Sequence, residues 1–169
     1  MNSKDIVIRI KVKEFGDITL ALFPSVAPNS VANFLYHVKN GLYKGLIFHR
    51  VIKGFMIQGG GSNISLKPIK GEFKSNGFNN PIKHERGVIS YARTSNPNSA
   101  TSQFFIMHQN APHLDGAYAA FGKVINGIEV VDKIANVKTN HIDQPLQDVM
   151  IEDIEILEMD TPWVDPVYL

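Results

Sequence analysis

The chain has no cysteine, so disulfides and thiolate chemistry are both closed to it, and a reducing compartment, the cytoplasm by default, is the expected setting. It has no apolar run approaching the roughly 20 residues that a spanning helix needs, so no membrane span is expected. A dominant charge sign is also missing: 17 basic residues face 16 acidic ones, the net charge is +1, and the basic residues are scattered. Without a concentrated basic patch, neither nucleic acid nor an anionic membrane is an expected partner. The opening MNSKDIVIRIKVKEF interrupts its apolar positions with charges and holds no small-residue cleavage site, which reads as a strand rather than an export signal.

The missing motifs exclude several chemistries. The six histidines, His37, His49, His84, His108, His113 and His141, show no His-x-x-x-His spacing, so no metal site is expected. No G-x-S-x-G elbow is present for a serine nucleophile, and QGGGSN over 58–63 lacks the spacing of a dinucleotide or phosphate loop. No cofactor is expected either.

What is present is a mainly β pattern in 169 residues, 44% of them hydrophobic, a length suited to one domain. A single domain over 1–169 is expected, with its core at about 6–157 and 158–169 as a C-terminal surface strap. Apolar residues alternate at Ile6, Ile8, Ile10, Val12, Ile18, Leu20 and Leu22 around Gly16-Asp17, which predicts a hairpin with one buried face. Val31, Phe34, Leu35 and Val38 recur at helical spacing between Pro28 and Asn40-Gly41, predicting an amphipathic helix capped at both ends. Short apolar runs then follow: GLIFHRVI, FMIQGG, GVISYA, SQFFIMH and AAFGKVI. Several short strands with glycine-rich joints predict a sheet closed into a barrel, since closure removes the exposed edges. A second helix is predicted on Ile128, Val131, Ile134 and Ala135, and a last strand on Val149, Ile151, Ile154 and Ile156. The segments 59–81 and 91–102 are long and rich in Gly, Asn, Ser and Pro, a mark of functional loops.

One stretch, FHRVIKGFMIQGG, sets a single arginine among large apolar residues. An arginine in apolar surroundings is either paired or placed for work, because burying its charge alone is costly. Composition leaves both readings open. Phe55, Met56, Phe104 and Phe105 fit a barrel core, Gln58 and Gln103 fit structural hydrogen bonding, and Arg50 fits a strand-end ion pair.

That stretch, with GVISYARTSNPNSATSQFFIM and PHLDGAYAAFGKVINGIEVVD, closely resembles the cyclophilin family of peptidyl-prolyl cis/trans isomerases, from about Ile6 to Leu157. The segments ARTSNPNSATSQFF and KGEFKSNGFNNPIKHERG are most similar to bacterial single-domain members. The resemblance implies a closed eight-stranded antiparallel β-barrel capped by two α-helices. It also implies acceleration of rotation about Xaa-Pro bonds in unfolded or flexible proteins, assisting their folding; a monomer without a cofactor is expected. The alternative is a proline-binding module or holdase chaperone whose turnover is incidental. A hollow ligand-carrying barrel is disfavoured, because the interior positions are bulky enough to fill eight strands.

Carried over residue by residue, the resemblance assigns the catalytic arginine to Arg50, held by Gln58. The proline pocket falls on Phe55, Met56, Phe105 and Leu114, a second glutamine on Gln103, and the peptide-pairing backbone on Ala92, Arg93 and Thr94. The ARTSN segment is one residue longer than in familiar members. Where many members carry a tryptophan that contacts cyclosporin, this chain has His113, implying weakened affinity for cyclosporin-like ligands. Where a histidine commonly lines the pocket floor, it has Tyr118, which retains an aromatic wall with a polar tip.

Overall fold

Alternation builds the first hairpin of the computed structural model, which describes residues 4–169. Strands β1 (Ile6–Val12) and β2 (Gly16–Leu22) pair antiparallel and bury all seven alternating residues named above. The turn lies at 13–15, not at Gly16-Asp17, because Val12 pairs with Gly16 and leaves a three-residue loop with Glu14 at φ 70°. Gly16, at φ 119°, opens β2 instead.

The remaining strands are β3 (Arg50–Ile52), β4 (Met56–Gly59), β5 (Val88–Tyr91), β6 (Phe104–Met107), β7 (Ala120–Asn126) and β8 (Ile151–Glu158). The eight strands among the described residues form one antiparallel sheet in the order β3-β4-β6-β5-β7-β2-β1-β8. Its two edges meet just upstream of β3 and β8. Ile47 bridges Met150, Phe48 N donates to Val149 O at 2.9 Å, and Ile151 N donates to Leu46 O at 2.7 Å. The sheet thus closes into a barrel, whose interior is filled by side chains such as Ile10, Leu20, Ile57, Phe104, Ile106 and Phe121. A register shift opposite Lys11 and Val12 absorbs one extra residue in β8, which is why its inward positions step from Ile151 to Ile154.

Two α-helices pack on this barrel among the described residues. Helix α1 (Pro28–Lys39) inserts Phe34, whose ring centroid lies 5.2 Å from Tyr43, 5.4 Å from Phe121 and 5.7 Å from Phe104. Its buried face exceeds the predicted stripe, taking in Ser30, Asn33 and His37, while Val38 is half-buried. No side chain at its own start caps it. The buried Glu72 carboxylate does so, accepting from Ser30 N at 2.6 Å, Ser30 Oγ at 2.7 Å and Asn29 N at 3.3 Å. Helix α2 (Ile128–Ala135) buries Val130, Val131, Ile134 and Ala135.

The last residues run irregularly along α1, where Val167 N donates to Asn29 Oδ1 at 2.7 Å and Tyr168 OH to Asn33 Oδ1 at 3.2 Å. Among the described residues, no helix is long and apolar enough to cross a membrane.

Candidate active site

Strands β5 and β6 are buried on both faces, and so is β4 except at the half-buried Gln58, and this places the site. Along β6, Phe104 and Ile106 point into the barrel, while Phe105 and Met107 join a separate apolar cluster with Met56, Val88, Ala111, Leu114 and Ala120 on the outside. The composition-based reading of Met56 and Phe105 as barrel core is therefore corrected. Of that set only Phe104 fills the interior, because the period-2 alternation sends its neighbour to the opposite face.

The ladder registers then order the outward residues into a row. Arg50 on β3 stands opposite Gln58 on β4, Gln58 opposite Phe105 on β6, and Phe105 opposite Ser90 on β5. Arg50 Nη1 donates to Gln58 Oε1 at 3.4 Å, and Gln58 Nε2 donates to Gln103 Oε1 at 2.9 Å. The Arg50 side chain is exposed, and among the described residues no carboxylate lies within 4.0 Å of its guanidinium, so the ion-pair reading does not hold. The two glycines closing QGG are sterically required. A Cβ on Gly59 would stand 2.8 Å from Ile47 O, and Gly60, at φ 83°, would place one 2.8 Å from the Tyr43 ring.

Beside the row lies a cavity of about 120 Å³, lined by Arg50, Phe55, Met56, Gln58, Ala92, Arg93, Phe105, Leu114 and Tyr118. The structure thus brings nine of the twelve sequence-assigned residues around one opening. The other three stand beside it. Gln103 holds Gln58, His113 stacks its exposed ring on Phe55 at 5.7 Å, and Thr94 is turned to Ser99, to which its N and Oγ1 both donate at 2.9 Å. Arg93 braces the far wall: Nη2 donates to Ala117 O at 2.6 Å, and the guanidinium lies 4.6 Å from the Tyr118 ring and 4.9 Å from Phe73.

Behind the floor lies a polar group that the sequence reading did not single out. The fully buried His84 side chain stacks on Phe105 at 5.9 Å, with Asp115 Oδ1 3.3 Å from Nδ1 and Ser90 Oγ 3.0 Å from Nε2. Burial lowers the His84 pKa and outweighs the nearby Asp115 carboxylate, so the ring is neutral, with Nδ1–H donating to Asp115 and Nε2 accepting from Ser90. Ser90 is completely buried, so this Ser-His-Asp arrangement supports Phe105 and offers no nucleophile to substrate. Burial and the adjacent Arg50 cation likewise lower the pKa of His49. Among the described residues no group of three His, Asp or Glu side chains is placed to hold a metal ion.

The outer face of the filled antiparallel barrel thus carries a partly apolar cleft edged by the Arg50 guanidinium, an arrangement suited to a short apolar group with a hydrogen-bond acceptor. Residues 7–156 match the family model for cyclophilin type peptidyl-prolyl cis-trans isomerases. A peptidyl-prolyl cis-trans isomerase of Acinetobacter baylyi is 48% identical over 86% of this chain and 83% of its own length. Peptidyl-prolyl cis-trans isomerase B of Escherichia coli is 42% identical over 85% of this chain and 95% of its own. The crystal structure of a Cryptosporidium parvum cyclophilin type isomerase, solved in the presence of the dipeptide Ala-Pro, superposes with a TM-score of 0.81 at 34% identity, covering 90% of this chain and 99% of that one. The chain belongs to the cyclophilin-type peptidyl-prolyl cis-trans isomerase family, and its enzymatic class is isomerisation of Xaa-Pro bonds.

Proposed function

We propose that the chain accelerates Xaa-Pro rotation without covalent chemistry, with Arg50 as the group that stabilises the twisted bond and the adjoining cavity as the seat of the proline ring. Rotation is slow because amide resonance must be broken, at a barrier of about 18–20 kcal/mol. When the bond twists, the proline nitrogen regains a lone pair and becomes an acceptor that it is not in either planar state. A donor aimed at it binds the transition state better than both ground states, which is what catalysis demands.

The observation that carries this reading is the outward row. Arg50 keeps its charge, has no carboxylate partner among the described residues, and bonds through Nη1 to Gln58, leaving other donors of the fork for a ligand. Phe55, Met56, Phe105 and Leu114 offer the ring an apolar seat from which a bound proline would displace water, so that only the segment beyond the bond swings. An acceleration of about 10⁵ corresponds to roughly 7 kcal/mol, within reach of one charge-assisted hydrogen bond plus orientation.

The substrates in this reading are proline-containing peptides and unfolded or flexible proteins, whose cis Xaa-Pro bonds delay folding. Arg50→Lys tests the need for the guanidinium fork. An ammonium cannot hold Gln58 and face the imide nitrogen with the same fixed geometry, so peptide exchange measured by NMR should recover little of the lost rate. A lysine variant near wild type would contradict it.

A further inference from the structure

The Phe55 wall of the cavity hangs on a short turn between β3 and β4, and that turn is held from outside the site. Gly54, at φ 81°, donates its backbone N–H to Nδ1 of His108 at 2.9 Å. Phe55 O accepts from His108 N at 2.9 Å, and Phe55 N donates to Ile52 O at 3.0 Å. Nε2 of His108 lies 3.1 Å from Asp132 Oδ1 on α2. Arg86 clamps that carboxylate from its other side, with Nη1 to Oδ1 at 2.7 Å and Nη2 to Oδ2 at 2.8 Å, and Nη1 also donates to His108 O at 2.9 Å.

These partners leave the buried imidazole one arrangement. A backbone N–H can only donate, so Nδ1 must present a lone pair; a carboxylate can only accept, so Nε2 must carry the proton. Asp132 therefore selects the tautomer, and Arg86 fixes Asp132. The Arg86 hydrogen bond holds the Asp132 carboxyl below the usual carboxylate range, which keeps the acceptor ionised.

We propose that His108 is a positioning residue for peptide binding: through its Nδ1 lone pair it fixes the 53–55 turn, and with it the Phe55 wall, in a tautomer chosen by Asp132 of α2. The proposal rests on the reading that this cavity seats the proline ring. It makes Arg86 and Asp132, neither of which lines the cavity, contributors to substrate affinity.

The test is an NMR titration of a short Xaa-Pro peptide into wild type, His108→Asn, His108→Leu and Phe55→Ala, with ¹⁵N spectra of the imidazoles of wild type. Asparagine sets Oδ1 near the place of Nδ1 and keeps an acceptor for Gly54, so His108→Asn should bind within about twofold of wild type, whereas His108→Leu should raise the dissociation constant about three- to tenfold. The loss should fall on affinity and not on the exchange rate of bound peptide, because the Arg50 row is untouched. The His108 ring should show its proton on Nε2, a reading that stands even if the leucine variant does not fold. Unchanged affinity in His108→Leu alongside weakened binding by Phe55→Ala, or a proton on Nδ1, would overturn the proposal. Unchanged affinity in Phe55→Ala would instead overturn the reading of the cavity, and the proposal with it.

Discussion

Gln58 stands directly opposite Arg50 across the β3–β4 ladder, and its amide is held in turn by Gln103 at 2.9 Å. The second contact orients the first: with Nε2 committed to Gln103, Oε1 faces the guanidinium. Removing the amide by Gln58→Leu should lower the exchange rate of bound Xaa-Pro peptide about tenfold, the scale of one hydrogen bond to a charged group, with a smaller change in affinity. Full activity in that variant would remove Gln58 from the mechanism.

Turnover and stability should respond differently to pH. An arginine donor does not titrate near neutrality, so the rate of the bond-rotation step should be flat from about pH 6 to 9. Stability should not be flat at the acid end. Burial lowers the pKa values of His37, His49 and His84 in the folded chain, so below about 6.5, the value of an unperturbed histidine, the unfolded chain takes up more protons than the folded one. Their contribution is intact above that pH and is lost as pH falls. Thermal melts at pH 8 and pH 5 should show a lower midpoint at pH 5, and an unchanged midpoint would contradict the assignment of these rings as neutral.

Glu72 supplies α1 with the cap that its own sequence lacks. Glu72→Ala should cost about 2 kcal/mol, because two backbone N–H groups and the Ser30 hydroxyl lose their acceptor. For a chain of this length that lowers Tm by about 4 to 8 °C. The midpoint from calorimetry is the check, and a shift under a degree would show that water replaces the carboxylate.

At the rim, His113 stacks its exposed ring on Phe55, where many family members present an indole. A smaller, more polar ring leaves less apolar surface for an apolar cyclic peptide, so cyclosporin should bind weakly while peptide isomerisation is retained. Drug titration against the exchange rate measures this, and nanomolar inhibition would contradict it.

Much of the architecture was legible in the chain because local patterns carry it. The alternation of Ile6 to Leu22 and the spacing of Val31, Phe34 and Leu35 needed no knowledge of distant partners. The face of β6 was not legible from composition. FFIM is buried on both sides, so nothing in its hydrophobicity separates Phe104, inside the barrel, from Phe105, outside it; only closure of the sheet does. The site residues were named through resemblance, not periodicity. The long-range polar links stayed hidden for the same reason. Glu72 caps a helix whose first turn is 42 residues away, and His108 meets Gly54 across 54 residues, so no local window holds both partners.

The most direct test of the account is the cis-to-trans exchange rate of a short Xaa-Pro peptide by NMR, with wild type and Arg50→Ala side by side and peptide affinity measured in both. Arg50 is exposed at a strand start, so the alanine variant should fold normally. The account predicts fast exchange on the wild type and near loss of it in Arg50→Ala, with affinity largely kept. Binding without acceleration in either protein would mean that the cleft recognises proline but does not turn the bond, and equal acceleration in both would place the transition-state donor elsewhere.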